Sequence, residues 1–220
     1  IKFIEQEHPE MLAHVSSAKS PQQMFGAVMK TFYAKLHNID PANIVSVSLM
    51  PCSAKKFECN RPEMSDSGFK DVDYVLTTRE CAKMIHQAGI DLPSLPKSDF
   101  DDPFGTASGS GVIFGATGGV MEAALRSVIE FVTGLKVEDI FANADILPAR
   151  GMEGCRFVDL KIPDKVGPVP TILQKLVPNW DWLAGKTLRV GIAHGTRNAR
   201  KILEDVAAGG FFSTCHFIEV

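Results

Sequence analysis

The chain's most chemically loaded spacing is Met50-Pro51-Cys52-Ser53-Ala54-Lys55-Lys56-Phe57-Glu58, with a thiol three residues ahead of a lysine. A thiolate at Cys52 is a soft metal ligand or a nucleophile. Lys55 would lower the thiol pKa through its charge, or hold an anionic ligand as a point charge. The residues just before, 43–50 (NIVSVSLM), are rich in β-branched side chains and bounded by Pro51, so they read as a buried strand. Cys52 then falls just past a strand's C-terminal end, where α/β folds place ligands. The bland alternative is a buried cysteine beside a solvated lysine pair.

Two further stretches carry possible chemistry. Residues 105–119 (GTASGSGVIFGATGG) hold six glycines, which let a backbone approach a ligand closely, and the helix that follows offers free N–H groups to an anion. A Pro- and Asp-rich loop precedes them where a dinucleotide fingerprint needs a clean strand, so a tight loop without ligand competes equally. At residues 193–201 (AHGTRNARK), His194 sits at a strand end with Arg197, Arg200 and Lys201 on the next helix. They could bind a phosphate, although a solvated helix face is the commoner meaning. His8, His14, His37, His86 and His216 form no spaced ligand set.

Composition narrows the class. The chain has 220 residues, 45% of them hydrophobic, enough for one large or two small cores. A net charge of −3 gives no basic excess for nucleic acid, and no apolar run is long enough to read as a membrane span. Five cysteines, an odd number without any C-x-x-C pair, argue against a disulfide framework or a self-contained metal site and for a reducing compartment. Cytoplasm is the default expectation. Cys81, Cys155 and Cys215 read as small buried hydrophobes and Cys59 as incidental.

Alternating elements must position these residues. Ser20 and Pro21 open a helix with apolar residues at Phe25, Val28, Met29, Phe32 and Leu36, a spacing that predicts a core-facing stripe. Tyr74–Thr78 reads as a strand, and Thr77 with Glu80 as the capping box of a helix closed by Gly89. Residues 92–111 read as a loop. A helix apolar at Met121, Leu125, Val128 and Val132 ends at Gly134. Residues 155–162 and 187–195 read as strands, 163–185 as a variable connector, and 196–210 as a helix before a last strand at 217–220. The pattern predicts an α/β class with sheets covered by helices.

Taken together, SSAKSPQQMFGAV, MPCSAKKFE with RPEM, DVDYVLTTRE, GSGVIFGATGGVMEAALR and GIAHGTRNARKIL stand in the order found in one family. Over essentially its full length the chain resembles the catalytic H-cluster domain of [FeFe]-hydrogenases, and MPCSAKKFE is similar to that family's second signature, P-C-x-x-K-x-x-E. The resemblance implies a two-lobed α/β fold, here about residues 1–115 and 116–220, with mixed sheets, flanking helices and the cofactor in the cleft between lobes. It implies reversible reduction of protons to H2 at an H-cluster: a [4Fe–4S] cluster held by four cysteines, bridged to a two-iron unit carrying CO, cyanide and a dithiolate. A ferredoxin-type carrier would exchange electrons.

Residue by residue, the resemblance makes Cys52 a metal ligand and Lys55 the donor to a cyanide. It places Pro21, Met50, Pro51 and Phe114 in the apolar wall, Gln22 as a polar neighbour, Gly115 in a close backbone approach and Ser16 on the proton path. The family's first signature (T-S-C-C-P-x-W) would fall before residue 1 and its third (M-A-C-P-G-G-C) after residue 220. The chain is therefore expected to be an internal segment that cannot retain the cofactor alone. Two other readings stay open: a non-catalytic iron–sulfur assembly or scaffold relative, and a hydrogen-sensing relative.

Overall fold

The computed structural model describes residues 1–105, 108–134, 147–148 and 153–220. They divide into two units, Ile1–Gly105 and Thr106–Val220. In the first, α1 (Lys2–Glu7) and a 3-10 turn (Pro9–His14) precede α2 (Pro21–Val28). The Ser20 hydroxyl caps α2 by accepting the Gln23 N–H at 3.4 Å, and Pro21 takes the first helical position, where no donor is needed. A π-helical turn, Met29–Tyr33, leads into α3 (Ala34–Leu36). Strands β1 (Val47–Leu49) and β2 (Tyr74–Leu76) pair in parallel, Val47 opposite Tyr74 and Leu49 opposite Leu76. Helix α4 (Ser53–Glu58) connects them, and α5 (Thr78–Gln87) follows with the reciprocal Thr77/Glu80 capping box that the sequence predicts.

The core stripe expected along α2, the π-helical turn and α3 faces outward. Phe25, Phe32 and Leu36 are 52%, 58% and 60% exposed, whereas Gln22, Gln23, Gly26, Lys30 and Ala34 are buried. Polar docking decides the orientation. A Cβ at Gly26 would collide with the Asp71 carbonyl oxygen, so only glycine admits this approach. Lys30 Nζ donates to the Lys70 carbonyl at 2.6 Å and to Asp73 Oδ2 at 2.7 Å, and the same carboxylate oxygen accepts the Ser46 N–H at 2.7 Å. A buried cation persists only with such partners. Asp71, fully buried, accepts the N–H groups of Asp66 and Ser67. Phe104 lies edge-on to Phe25 and Tyr33 and covers part of the stripe.

The strand expected over residues 43–50 is shorter and less buried. Its Val47 and Leu49 face is exposed, while Met50 packs on Cys59, Val72 and Val75. Alternation puts the two sets on opposite faces of the sheet.

In the second unit α6 (Gly109–Ile113), inside the stretch expected as loop and turn, leads to α7 (Gly119–Thr133). Strands β3 (Leu147–Pro148), β4 (Cys155–Lys161), β5 (Thr187–Ala193) and β6 (Phe217–Glu219) form a sheet in that order, antiparallel except for the parallel β5–β6 pair, with α8 (Thr196–Ala207) between those two. Met121, Leu125, Ile129 and Val132 of α7 pack on Val158, Leu160, Ile162 and Val190. Burying each such side chain contributes roughly 1.5–3 kcal/mol. The supposed connector adds Val169, Trp180 and Leu183 to this core, and Trp180 Nε1 donates to the Gly167 carbonyl at 2.6 Å.

Candidate functional site

Strand pairing runs one residue past β1, since the Met50 N–H donates to the Leu76 carbonyl at 2.8 Å. The chain then reverses across Pro51, with the Cys52 N–H returning to the Met50 carbonyl at 2.7 Å. Cys52 is the N-cap residue of α4, in extended conformation, yet its thiol makes no capping bond. Cys52 is half-buried, and its thiol hydrogen-bonds to no described residue.

Lys55 lies one turn into α4 and is half-buried. Its N–H donates to the Cys52 carbonyl at 3.2 Å, and its own carbonyl accepts the Cys59 N–H at 3.1 Å and Gln22 Nε2 at 3.5 Å. The Lys55 ammonium has no acidic or hydrogen-bonding partner among the described residues, whereas the adjacent Lys56 pairs with Glu80 at 2.5 Å. That contact, with the Thr77 N–H and hydroxyl, holds the Glu80 carboxyl down at about 2. Of two neighbouring lysines, one is tied to α5 and the other is left for something else.

The remaining sequence-predicted residues have definite places. Gln22 is buried and committed within the chain: its Oε1 accepts the Ser48 hydroxyl at 2.7 Å. Pro21 and Pro51 are exposed, and Met50 contributes to the small core beneath α4. Ser16 is exposed, its hydroxyl accepting the Ala18 N–H at 3.2 Å. Cys52, Lys55, Gln22 and Met50 thus converge where β1, α2 and α4 meet, and Ser16 lies on the segment leading into α2. Phe114 and Gly115 belong to the second unit, both exposed after α6. Close packing there demands Gly119, where a Cβ would meet the Ile113 carbonyl oxygen, and not Gly115, whose Cβ would touch only the Val112 carbonyl at 3.5 Å. His194 Nδ1 lies 3.1 Å from the Thr117 hydroxyl.

Sequence reasoning missed Ser48, Glu58 and the second role of Ser20. The Ser20 hydroxyl, besides capping α2, donates to Glu58 Oε2 at 2.8 Å. Only the serine on the strand's inward face, two residues before Met50, hinted at a polar contact. Gln23 was passed over too. It is fully buried, and neither amide atom has a partner among the described residues. Of the other cysteines, Cys59 and Cys155 are buried and Cys81 and Cys215 half-buried. Burial raises the Cys155 thiol and pushes Cys215 up to about 11.

An iron–sulfur group fits this site in part. Among the described residues no group of three or more His, Cys, Asp or Glu side chains could hold a metal ion. What the site offers is one uncommitted thiol and one uncommitted ammonium on the same helical turn. That donor chemistry suits one ligand and one anion donor of such a group, not its full ligand set. No helix among the described residues is long and apolar enough to cross a membrane.

A strand end in an α/β fold here presents a thiol and a lysine that have no side-chain partners among the described residues. Residues 1–220 match the model for the iron only hydrogenase large subunit, C-terminal domain, and the chain belongs to that family. It is 44% identical over 220 residues to the NADP-reducing hydrogenase subunit HndD of Solidesulfovibrio fructosivorans, covering 100% of this chain and 33% of that protein. It also matches the cytosolic Fe-S cluster assembly factor narfl of Xenopus tropicalis, 34% identical over 64% of this chain and 31% of that one. Among solved structures, the apo [FeFe]-hydrogenase HydA1 of Chlamydomonas reinhardtii, variant C377H, superposes with a TM-score of 0.72 at 34% identity, covering 99% of this chain and 55% of that one. The chain therefore spans about a third of these curated relatives and about half of that structure. The α/β hydrogenase fold expected from the sequence is borne out.

Proposed function

We propose that this chain is the part of an [FeFe]-hydrogenase that supplies the second-signature side of an H-cluster, in a parent protein catalysing 2 H+ + 2 e− ⇌ H2 with a ferredoxin-type electron carrier. The observation carrying this reading is the uncommitted pair Cys52 and Lys55 on one turn of α4. When bound, the H-cluster supplies the redox chemistry. Cys52 contributes one thiolate to it. Lys55 keeps its ammonium free to donate to an anionic ligand such as cyanide, a charge-assisted bond stronger than a neutral one. Within the first unit, Pro21, Met50 and Pro51 would set apolar side chains beside that group, and Ser16 would pass protons. With a single ligand cysteine of the set, the isolated chain is inactive and does not hold the group.

The second reading, an iron–sulfur assembly relative, is favoured by the similarity to the narfl protein. It gives Lys55 no anion to bind. Infrared spectra of the matured full-length parent separate the two. Bands of iron-bound CO and cyanide, with H2 turnover, are the expected result. A parent that holds a cubane but shows neither would establish the assembly reading instead.

A further inference from the structure

Lys55 is placed by a contact that begins on the neighbouring strand. The Gln22 amide lies between the two: Nε2 stands 3.5 Å from the Lys55 carbonyl, a long contact, and Oε1 faces Ser48. The Ser48 hydroxyl must therefore be the donor, at 2.7 Å. One serine thus sets which way a buried amide points, and that amide supports the carbonyl of the residue carrying the free ammonium. A second tether, Ser20 to Glu58, holds the last residue of α4 to the same α2 terminus. Without the Ser48 donor, Gln22 Oε1 would sit in a site only 9% exposed with no partner, and the amide would gain by reorienting.

We propose that Ser48 is a positioning residue for Lys55, acting through the Gln22 amide to hold α4 in the register that presents the lysine to an anionic ligand of the iron group. The inference rests on the function proposed above. Ser48→Thr keeps the hydroxyl, and Ser48→Val keeps the threonine's shape without it; both side chains suit a strand, so the pair separates the hydrogen bond from packing.

Two readouts are used. In this chain without cofactor, amide hydrogen exchange follows the Cys59 N–H, which donates to the Lys55 carbonyl. It is expected about fivefold faster in Ser48→Val and unchanged in Ser48→Thr. In the matured full-length parent, the iron-bound cyanide bands are expected to shift or broaden in Ser48→Val and to match the unsubstituted protein in Ser48→Thr. Cyanide bands identical across all three proteins, or Cys59 exchange unaffected by the valine, overturn the positioning role. Absence of cyanide bands from the unsubstituted parent overturns the hydrogenase reading and this inference with it.

Discussion

Lys55 and Cys52 share one helical turn: the Lys55 N–H donates to the Cys52 carbonyl at 3.2 Å, so thiol and ammonium are carried by the same short segment. Neither side chain is used by the rest of the described fold, although Lys56 next door is. A side chain with no partner in the protein can be removed without disturbing the protein, and that separates function from stability.

Lys55→Met should therefore leave the chain's thermal midpoint nearly unchanged, a difference within about 0.5 kcal/mol. The same change in the matured parent should lower H2 turnover by about a hundredfold or more, the usual effect of losing one preorganised donor to developing or fixed charge. A melting curve and a hydrogen-evolution assay test both halves. Unimpaired turnover would remove Lys55 from the site.

Gly26→Ala should be strongly destabilising, because its Cβ would collide with the Asp71 carbonyl oxygen, which is backbone and not a flexible side-chain end. Overpacking of this kind costs about 1–3 kcal/mol, and the clash with backbone places it at the upper end. Denaturant unfolding measures it; a midpoint equal to the parent sequence would mean that α2 docks otherwise.

Lys30→Met removes a buried cation that serves both Asp73 and the Lys70 carbonyl. Breaking one side of a buried pair costs about 3–5 kcal/mol. The double change Lys30→Met with Asp73→Asn should recover part of this, since the stranded charge disappears, and comparison of the two unfolding curves decides it.

The capping box of α5 should be acid-sensitive in a defined window. Glu80 sits at about 2, below its ordinary 4.5, held first by Lys56 and then by Thr77. A depressed acid contributes stability above its unfolded value, and that contribution fades as pH falls from about 4.5 toward 2. Exchange of the Thr77 amide, which donates to Glu80 Oε2 at 2.8 Å, should accelerate relative to other amides across this window, and Glu80→Gln should abolish the effect.

Thiol alkylation near pH 8 should label the half-buried Cys52 and Cys81 first, with Cys155 and Cys215 last, since burial raises both of the latter thiols. Peptide mass spectrometry at timed quench points reads the order. Early modification of Cys155 would contradict its burial.

Local chemistry was legible in the sequence. Ser20 with Pro21, Thr77 with Glu80, and Gly134 after α7 act within a few residues of themselves, so their caps and stops form wherever the chain goes. The motif around Cys52 and Lys55 was equally local, and the order of five such segments carried the family. Tertiary structure alone decided what the helices face. The periodicity of Phe25, Val28, Phe32 and Leu36 marks an apolar stripe but not its direction. Direction came from contacts over long sequence separations: Gly26 on Asp71, Lys30 on Asp73, Gln22 on Ser48. A buried charge or amide must find its partner or carry the full desolvation penalty, whereas an exposed phenylalanine forfeits only its burial, so the polar face of α2 won the interior.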